Sequence, residues 1–339
     1  MSTRIWFNRT FSAASHYIEM IRNNEDREKF IIYATHPRQH SPMLQVADYS
    51  EIEPILPMDE YIAYCLDFCK KHQIDVFIPH FGLTEISYHG SAFQQIGTQV
   101  LIGGDPTLLE VVGDKGRLFQ ALSSVEGLTL PDYFIATTVN EFQQAYRTLK
   151  EKGHRICIKP VKGEGGGGFR IIEETPADIW SIYEPVTNTL LLEDLIELLS
   201  SVDHFDALMV MELLEGHEYS VDCLGRENEL LAAVPRKKVE GRIRKLEANA
   251  ELIELSRAIQ KVLSLQYNFN VQFIYQHNVP KLLEINPRAS GGLYMSCLSG
   301  VNFPYLALKS LLGGEVHVQE PKLDITATHI EKELIISNA

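Results

Sequence analysis

The chain has 339 residues, 45% of them hydrophobic and 22% charged, and a formal net charge of −14. Its length suits two to four compact units of ordinary globular composition. The acidic balance excludes nucleic acid as the main partner, because phosphate backbones are held by a basic footprint. Any anionic ligand has to be held by local lysines and arginines. The five cysteines, Cys65, Cys69, Cys157, Cys223 and Cys297, are odd in number and form no zinc-like CxxC pair, so reduced thiols are expected. No stretch approaches the roughly 20 apolar residues of a membrane helix, and the opening MSTRIWFNRTF has no long apolar core of a secretion signal. A soluble, cytoplasmic protein with no membrane partner is the expectation.

Residues 1–110 alternate strand and helix signals. RIWFN and KFIIYAT read as strands and SAASHYIEMIRNN as a helix. DEYIAYCLDFCKKHQ is a helix with Tyr61, Cys65, Phe68 and Cys69 on one stripe. DVFIPH is a buried strand, SAFQQIG a short helix, and QVLIGG closes the set. This order implies a parallel sheet with helices on its faces. No GxGxxG follows the first strand, which disfavours a dinucleotide site. Ligands of such sheets sit at the carboxyl ends of strands. His80, Thr84 and Glu85 follow a strand end and are candidate substrate contacts.

VVGDKGRLFQALSSV reads as a helix with Lys115 near its start. LPDYFIAT is extended, and VNEFQQAYRTLKEKG is a second amphipathic helix. RICIKPVKGEGGGGFRII reads as strand, glycine loop, strand. Alternation places Ile156 and Ile158 on one face and Cys157 and Lys159 on the other. The loop Gly163, Glu164, Gly165, Gly166, Gly167, Gly168 can bring backbone N–H groups close to a phosphate. It is no Walker loop, because a strand-like FRII follows instead of Gly-Lys-Ser/Thr and a helix. ALMVMELLEGHEYSVDCLG is a strand pair, with Met211 to Leu214 forming the turn. ELLAAVPRKKVEGRIRKLEAN begins as a strand and becomes the one dense basic cluster. That cluster reads equally as a solvated face or as an anion site using Arg236 and Arg242.

ELIELSRAIQKVLSL is a helix, and Asn270 to Gly292, NVQFIYQHNVPKLLEINPRASGG, is a β-hairpin. Strand alternation points Leu283 and Ile285 one way and Glu284 and Asn286 the other. With Gln272 on the partner strand, these oxygens suit Mg²⁺, which keeps waters and substrate phosphates in its octahedron. Arg288 at their mouth suits a phosphate as a planar fork of donors. The ENPR run alone is equally compatible with a solvated strand end. NFPYLALKSLLGG reads as a last helix.

Taken in order, Lys115, ICIKP, the glycine loop, MELLEGHEYSVD, NVQF and LLEINPRASGG resemble the ATP-grasp superfamily, and more narrowly the short single-module proteins related to the large subunit of carbamoyl phosphate synthetase. The resemblance covers nearly the whole chain. It implies an α/β parallel-sheet (pre-ATP-grasp) domain over 1–110. An ATP-grasp fold of two α+β subdomains would follow, divided into 111–153, 154–215 and 216–332. It implies that Lys115 and Lys159 hold ATP phosphates under the loop Gly163–Gly168, that Glu212, Leu213 and Leu214 meet adenine, and that Glu218 binds ribose. Gln272, Glu284 and Asn286 would hold one or two Mg²⁺ ions, with Mn²⁺ as a substitute, and Gln272 would also serve the nucleotide. Arg288 and Lys159 would act on the transferring phosphoryl group. The activity implied is an ATP-dependent carboxylate–amine ligase working through an acylphosphate. Its partners would be a small-molecule carboxylate and an amine, and a homodimer is compatible with the family. Arg236 and Arg242 are candidates for the carboxylate, His80 and Glu85 for the second substrate. A phosphotransferase and a nucleotide-binding regulatory subunit are the alternatives. One such module and no glutaminase-like or biotinyl segment argue against carbamoyl phosphate as the product. The loop also lacks the basic or hydroxyl residue of many relatives, which leaves its phosphate contacts to the backbone.

Overall fold

The computed structural model describes residues 2–10, 13–163, 166–183, 185–330 and 333. Glu164 and Gly165 of the glycine loop lie outside the described residues. The chain divides into two compact units. The first comprises 1–110, 217–272 and 285–339, and the second comprises 111–216 and 273–284.

The first unit opens with strands β1 (Thr3–Asn8), β2 (Phe30–His36), β3 (Tyr49–Ile52), β4 (Val76–Ile78) and β5 (Gln99–Val100). They form a parallel sheet in the order β3-β2-β1-β4-β5. The chain builds outward from β1 to β3 on one side, then returns to add β4 and β5 on the other. The switch point is therefore between β1 and β4. Period-two alternation sends Ile5 and Phe7 to one face, where they meet Tyr17, Ile18 and Ile21 of the helix Ala14–Arg22. Trp6 goes to the other face and stacks on Phe77 and Phe68 with centroids 4.1 and 4.4 Å away. Such aromatic pairs contribute about 0.5–1.5 kcal/mol each beyond their burial. Tyr61, Cys65, Phe68 and Cys69 of the helix Met58–His72 are buried there, as the stripe predicts. That helix carries Asp59 and Glu60 in its first turn and Lys70, Lys71 and His72 in its last, both favourable to its dipole.

The second unit holds β6 (Tyr133–Ala136), β7 (Ile156–Pro160), β8 (Arg170–Glu173), β9 (Thr189–Leu191) and β10 (Leu208–Glu212), in the order β6-β10-β7-β8-β9. β7 and β8 are the antiparallel arms of the glycine loop. Ile156, Ile158 and Val210 pack against Phe142, Ala145 and Leu149 of the helix Val139–Glu151. Thr138 and Glu141 close that helix with a capping box.

A six-stranded sheet contains β11 (Glu218–Arg226), β12 (Glu229–Glu240), β13 (Ile243–Leu246), β14 (Tyr267–Gln276), β15 (Val279–Asn286) and β16 (Ile325–Ala327). Its order is β15-β14-β11-β12-β13-β16. The tip of the β14–β15 hairpin, residues 273–284, belongs to the second unit.

Two local expectations are corrected. The single helix expected over VVGDKGRLFQALSSV is two, Pro106–Gly113 and Lys115–Leu122. Asp114 is extended between them, and its carboxylate caps the second helix by accepting from Arg117 N–H at 3.0 Å. Met211 and Glu212 are the end of β10, paired with Cys157 and Ile156 of β7, and not a turn. The basic run from Arg236 to Lys245 is continuous hairpin, β12 into β13.

Candidate functional site

The second unit contains a cavity of about 210 Å³. Its floor is the face of β7 and β10 left over once Ile156, Ile158 and Val210 have entered the core. Cys157 and Met211 lie on it, and Phe169, Ile274 and Leu283 complete an apolar slot. Lys115, Lys159 and Glu284 supply charge, and Gly163, Gly166 and Gly167 form part of the wall.

The two lysines are buried, with 8% of their surface exposed in each case. Lys115 is the first residue of its helix. Its Nζ donates to the Gly163 carbonyl at 2.9 Å and to that of Val161 at 3.4 Å. Lys159 Nζ donates to the Leu283 carbonyl at 3.3 Å. Burial, followed by the charge of Lys115, pulls the Lys159 ammonium from 10.5 down to about 8, with Glu284 opposing the shift. Two close cations in a dry pocket repel each other, and an anion entering the pocket relieves that repulsion.

Two glycines of the loop are required by backbone geometry. Gly166 and Gly168 have φ of +72° and +75°, and a Cβ on Gly168 would lie 2.7 Å from the Pro160 ring. At the other side of the cavity, Glu212 is buried and ion-paired with Lys281, and it accepts the Asp132 N–H at 2.8 Å. His154 lies between Asp132 and Glu212, at 2.9 and 3.7 Å. This cluster holds the Glu212 to Leu214 backbone against the slot. Gly216 is forced by close approach, since a Cβ there would fall 1.5 Å from the Tyr275 carbonyl oxygen.

Of the residues singled out in the sequence, Lys115, Lys159, Gly163, Gly166, Gly167, Glu212, Leu213, Leu214 and Glu284 line this one cavity. Gly168 closes the loop beside them. Leu283 joins Glu284 on the cavity wall despite its alternate position, because its backbone carbonyl faces Lys159. Gln272 and Asn286 lie on the same hairpin as Glu284 and are half-buried. Glu218 begins β11 in the first unit and pairs with Lys238 at 3.1 Å.

The other candidates belong to the first unit. Arg236 is buried against Asp222 at 3.1 Å, with Ser290 and Ser296 each at 3.3 Å. Arg242 is exposed and meets His329 at 3.1 Å. Glu85 is exposed on the helix Leu83–Tyr88. His80 and Arg288 line a separate small cavity. The sequence reading missed Lys281, His154 and Asp132. Each is a single polar residue in an unremarkable stretch, and only the strand order brings them to Glu212.

Among the described residues no group of three or more His, Cys, Asp or Glu is placed to hold a metal. Glu284 gives the cavity one carboxylate donor, which suits Mg²⁺ completed by water and phosphate and does not suit a closed protein cage. No helix among the described residues is long and apolar enough to cross a membrane.

Residues 204–333 match the family described as ATP-grasp in the biosynthetic pathway with Ter operon. The chain is 21% identical over 301 residues to the carbamoyl phosphate synthase large chain of Clostridium acetobutylicum, covering 84% of this chain and 26% of that protein. It therefore spans about a quarter of that relative's length. Among solved structures, biotin carboxylase from Campylobacter jejuni superposes with a TM-score of 0.72 at 17% identity, over 96% of this chain and 74% of that one. The ADP complex of an N5-carboxyaminoimidazole ribonucleotide synthetase gives 0.69 at 11% identity, over 96% and 81%. The parallel-sheet domain followed by a mixed and an antiparallel sheet is the fold of these proteins.

Proposed function

We propose, from the premise that this chain carries an ATP-grasp domain, that it is an ATP-dependent ligase joining a small-molecule carboxylate to an amine. The observation that carries this reading is the cavity of the second unit, an apolar slot ending in two buried lysines and a glycine loop. A flat adenine matches Cys157, Phe169, Met211, Ile274 and Leu283, with backbone groups from Glu212 to Leu214 at its edge. The β- and γ-phosphates match Lys115, Lys159 and the N–H groups of Gly163, Gly166, Gly167 and Gly168. Glu284 supplies a carboxylate to Mg²⁺, which neutralises phosphate charge when bound.

The chemistry then needs no protein nucleophile. A carboxylate oxygen of the acid attacks the γ-phosphorus. The new O–P bond forms as the bond to ADP breaks, and the ADP oxygen departs with its electron pair. The amine next attacks the acyl carbon of the acylphosphate, phosphate leaves, and the amine loses a proton. Lys159 holds the charge that develops on the transferred group, and the glycine loop keeps water from the acylphosphate.

The test is ATP turnover with Mg²⁺ over a library of acids and amines, reading ADP, phosphate and product mass together. ADP and phosphate that appear only with an acid and an amine, beside a condensed mass, support the ligase. An accumulating phosphorylated product would sink it in favour of a phosphotransferase. Nucleotide binding without turnover on any pair would favour a regulatory subunit.

A further inference from the structure

The first unit has its own cavity, of about 40 Å³, at the switch point of the parallel sheet. Phe7 of β1 and Ile78 of β4 are direct partners there, and both line it with Leu83, Leu101 and Pro304. Open parallel sheets bind their ligands where the strand order reverses, outside the carboxyl ends of the strands. The loop after β4 is held in place by Asn8. Its Oδ1 accepts the His80 N–H at 2.6 Å, and its Nδ2 donates to Tyr61 Oη at 2.7 Å and to the Phe81 carbonyl at 3.2 Å. The opposite wall is held by Tyr17, whose hydroxyl donates to the Ser290 carbonyl.

Three polar groups face this apolar space. Arg288 brings a cation. His80 is a neutral imidazole at pH 7, because burial and then the Arg288 charge hold it at about 4. Asn268 is 7% exposed, and its Nδ2 donates to the Phe303 carbonyl at 3.1 Å. Its Oδ1 is buried and has no hydrogen-bond donor among the described residues. A buried carbonyl oxygen left without a donor is unfavourable, and a ligand N–H removes the deficit. The volume holds about three water-sized groups, which is enough for a short aliphatic side chain and too small for an aromatic ring.

We infer that this cavity selects the amine substrate, and that the substrate is a compact α-amino acid with a short aliphatic side chain. The side chain fills the space between Phe7, Ile78, Leu83 and Leu101. The ligand N–H donates to Asn268 Oδ1, and its carboxylate faces Arg288. The inference rests on the carboxylate–amine ligase reading and adds the class of the amine.

The test is calorimetric titration of the full chain with glycine, alanine, valine and phenylalanine, each with and without MgADP. Alanine or valine is expected to bind at least tenfold more tightly than phenylalanine. Asn268→Leu, similar in shape and lacking the acceptor, is expected to lose tenfold or more for alanine and to keep its ADP affinity within twofold. Leu83→Ala, at a half-buried site, should narrow the gap between alanine and phenylalanine, and it decides the question if Asn268→Leu fails to fold. Phenylalanine binding as tightly as alanine would overturn the inference. So would no binding by any of the four, or unchanged alanine affinity in a folded Asn268→Leu protein. Failure of ADP to bind refutes the nucleotide reading of the lysine pocket, and the titrations without nucleotide still decide the amine pocket.

Discussion

Arg236 and Lys159 are both buried cations, and they differ in how the surrounding protein meets their charge. Arg236 lies against Asp222, and Ser290 and Ser296 bind both partners. Asn270 Nδ2 adds a bond to Asp222 Oδ1 at 2.8 Å. The charge is cancelled within hydrogen-bonding distance, as buried ion pairs must be to repay their desolvation. Lys159 donates to a backbone carbonyl, faces a second lysine, and is pulled down to about 8. Burial and then the charge of Lys115 hold that ammonium below 10.5, with no carboxylate bonded to it as Asp222 is to Arg236. The basic cluster most visible in the sequence is thus partly scaffold. The charge proposed to meet the nucleotide, Lys159, sits in ICIKP, where strand alternation turns it away from the core.

Breaking the scaffold pair should have the largest effect. Asp222→Ala leaves the Arg236 cation buried beside Ser290 and Ser296 without its carboxylate, and is expected to destabilise the protein by about 3–5 kcal/mol. Urea denaturation checks it. A loss below about 1 kcal/mol would mean that water reaches the guanidinium. Removing the functional cation should do the reverse. Lys159→Met is expected to lower ATP turnover by roughly 10²–10³-fold without destabilising the fold, because a poorly compensated buried charge goes with it. ADP release and a melting curve on one preparation read both.

The smallest effect sharpens the contrast through pH. In the nucleotide-free protein the Lys159 value is about 8, and in the unfolded chain it is near 10.5. Between these values the unfolded state binds more protons, so this group makes stability rise with pH through that window. The gain is lost as pH falls back from about 10.5 to about 8. A bound phosphate favours the protonated lysine. Nucleotide affinity should therefore fall as pH rises above about 8, and binding there should take up a proton. Calorimetry in buffers of different ionisation enthalpy measures that uptake, and its absence would show that Lys159 does not meet the phosphates.

Much of this was legible along the chain, because it depends on local rules. Period-two alternation in RIWFN and ICIKP is enough to assign Ile5, Phe7, Ile156 and Ile158 to cores and to turn Lys159 away from them. Glycine adopts positive φ without a Cβ penalty, so a run of glycines between two strands announces a close backbone approach from the sequence itself. The spacing of Glu284, Asn286 and Arg288 is likewise local.

The tertiary structure decided whatever depends on which strands are neighbours. The pairing of β10 with β7 turns Glu212 from an apparent turn residue into a buried carboxylate, and the hairpin tip brings Lys281 to it. Asp222 and Arg236 are distant enough in sequence that only the β11–β12 register reveals their charges as partners. Asn268 carries no motif, and its unmet oxygen is a fact about Phe303, Phe7 and the shape of one small cavity. Pairing and unmet hydrogen bonds are sums over residues far apart in the chain, so composition, period and spacing hold no trace of them.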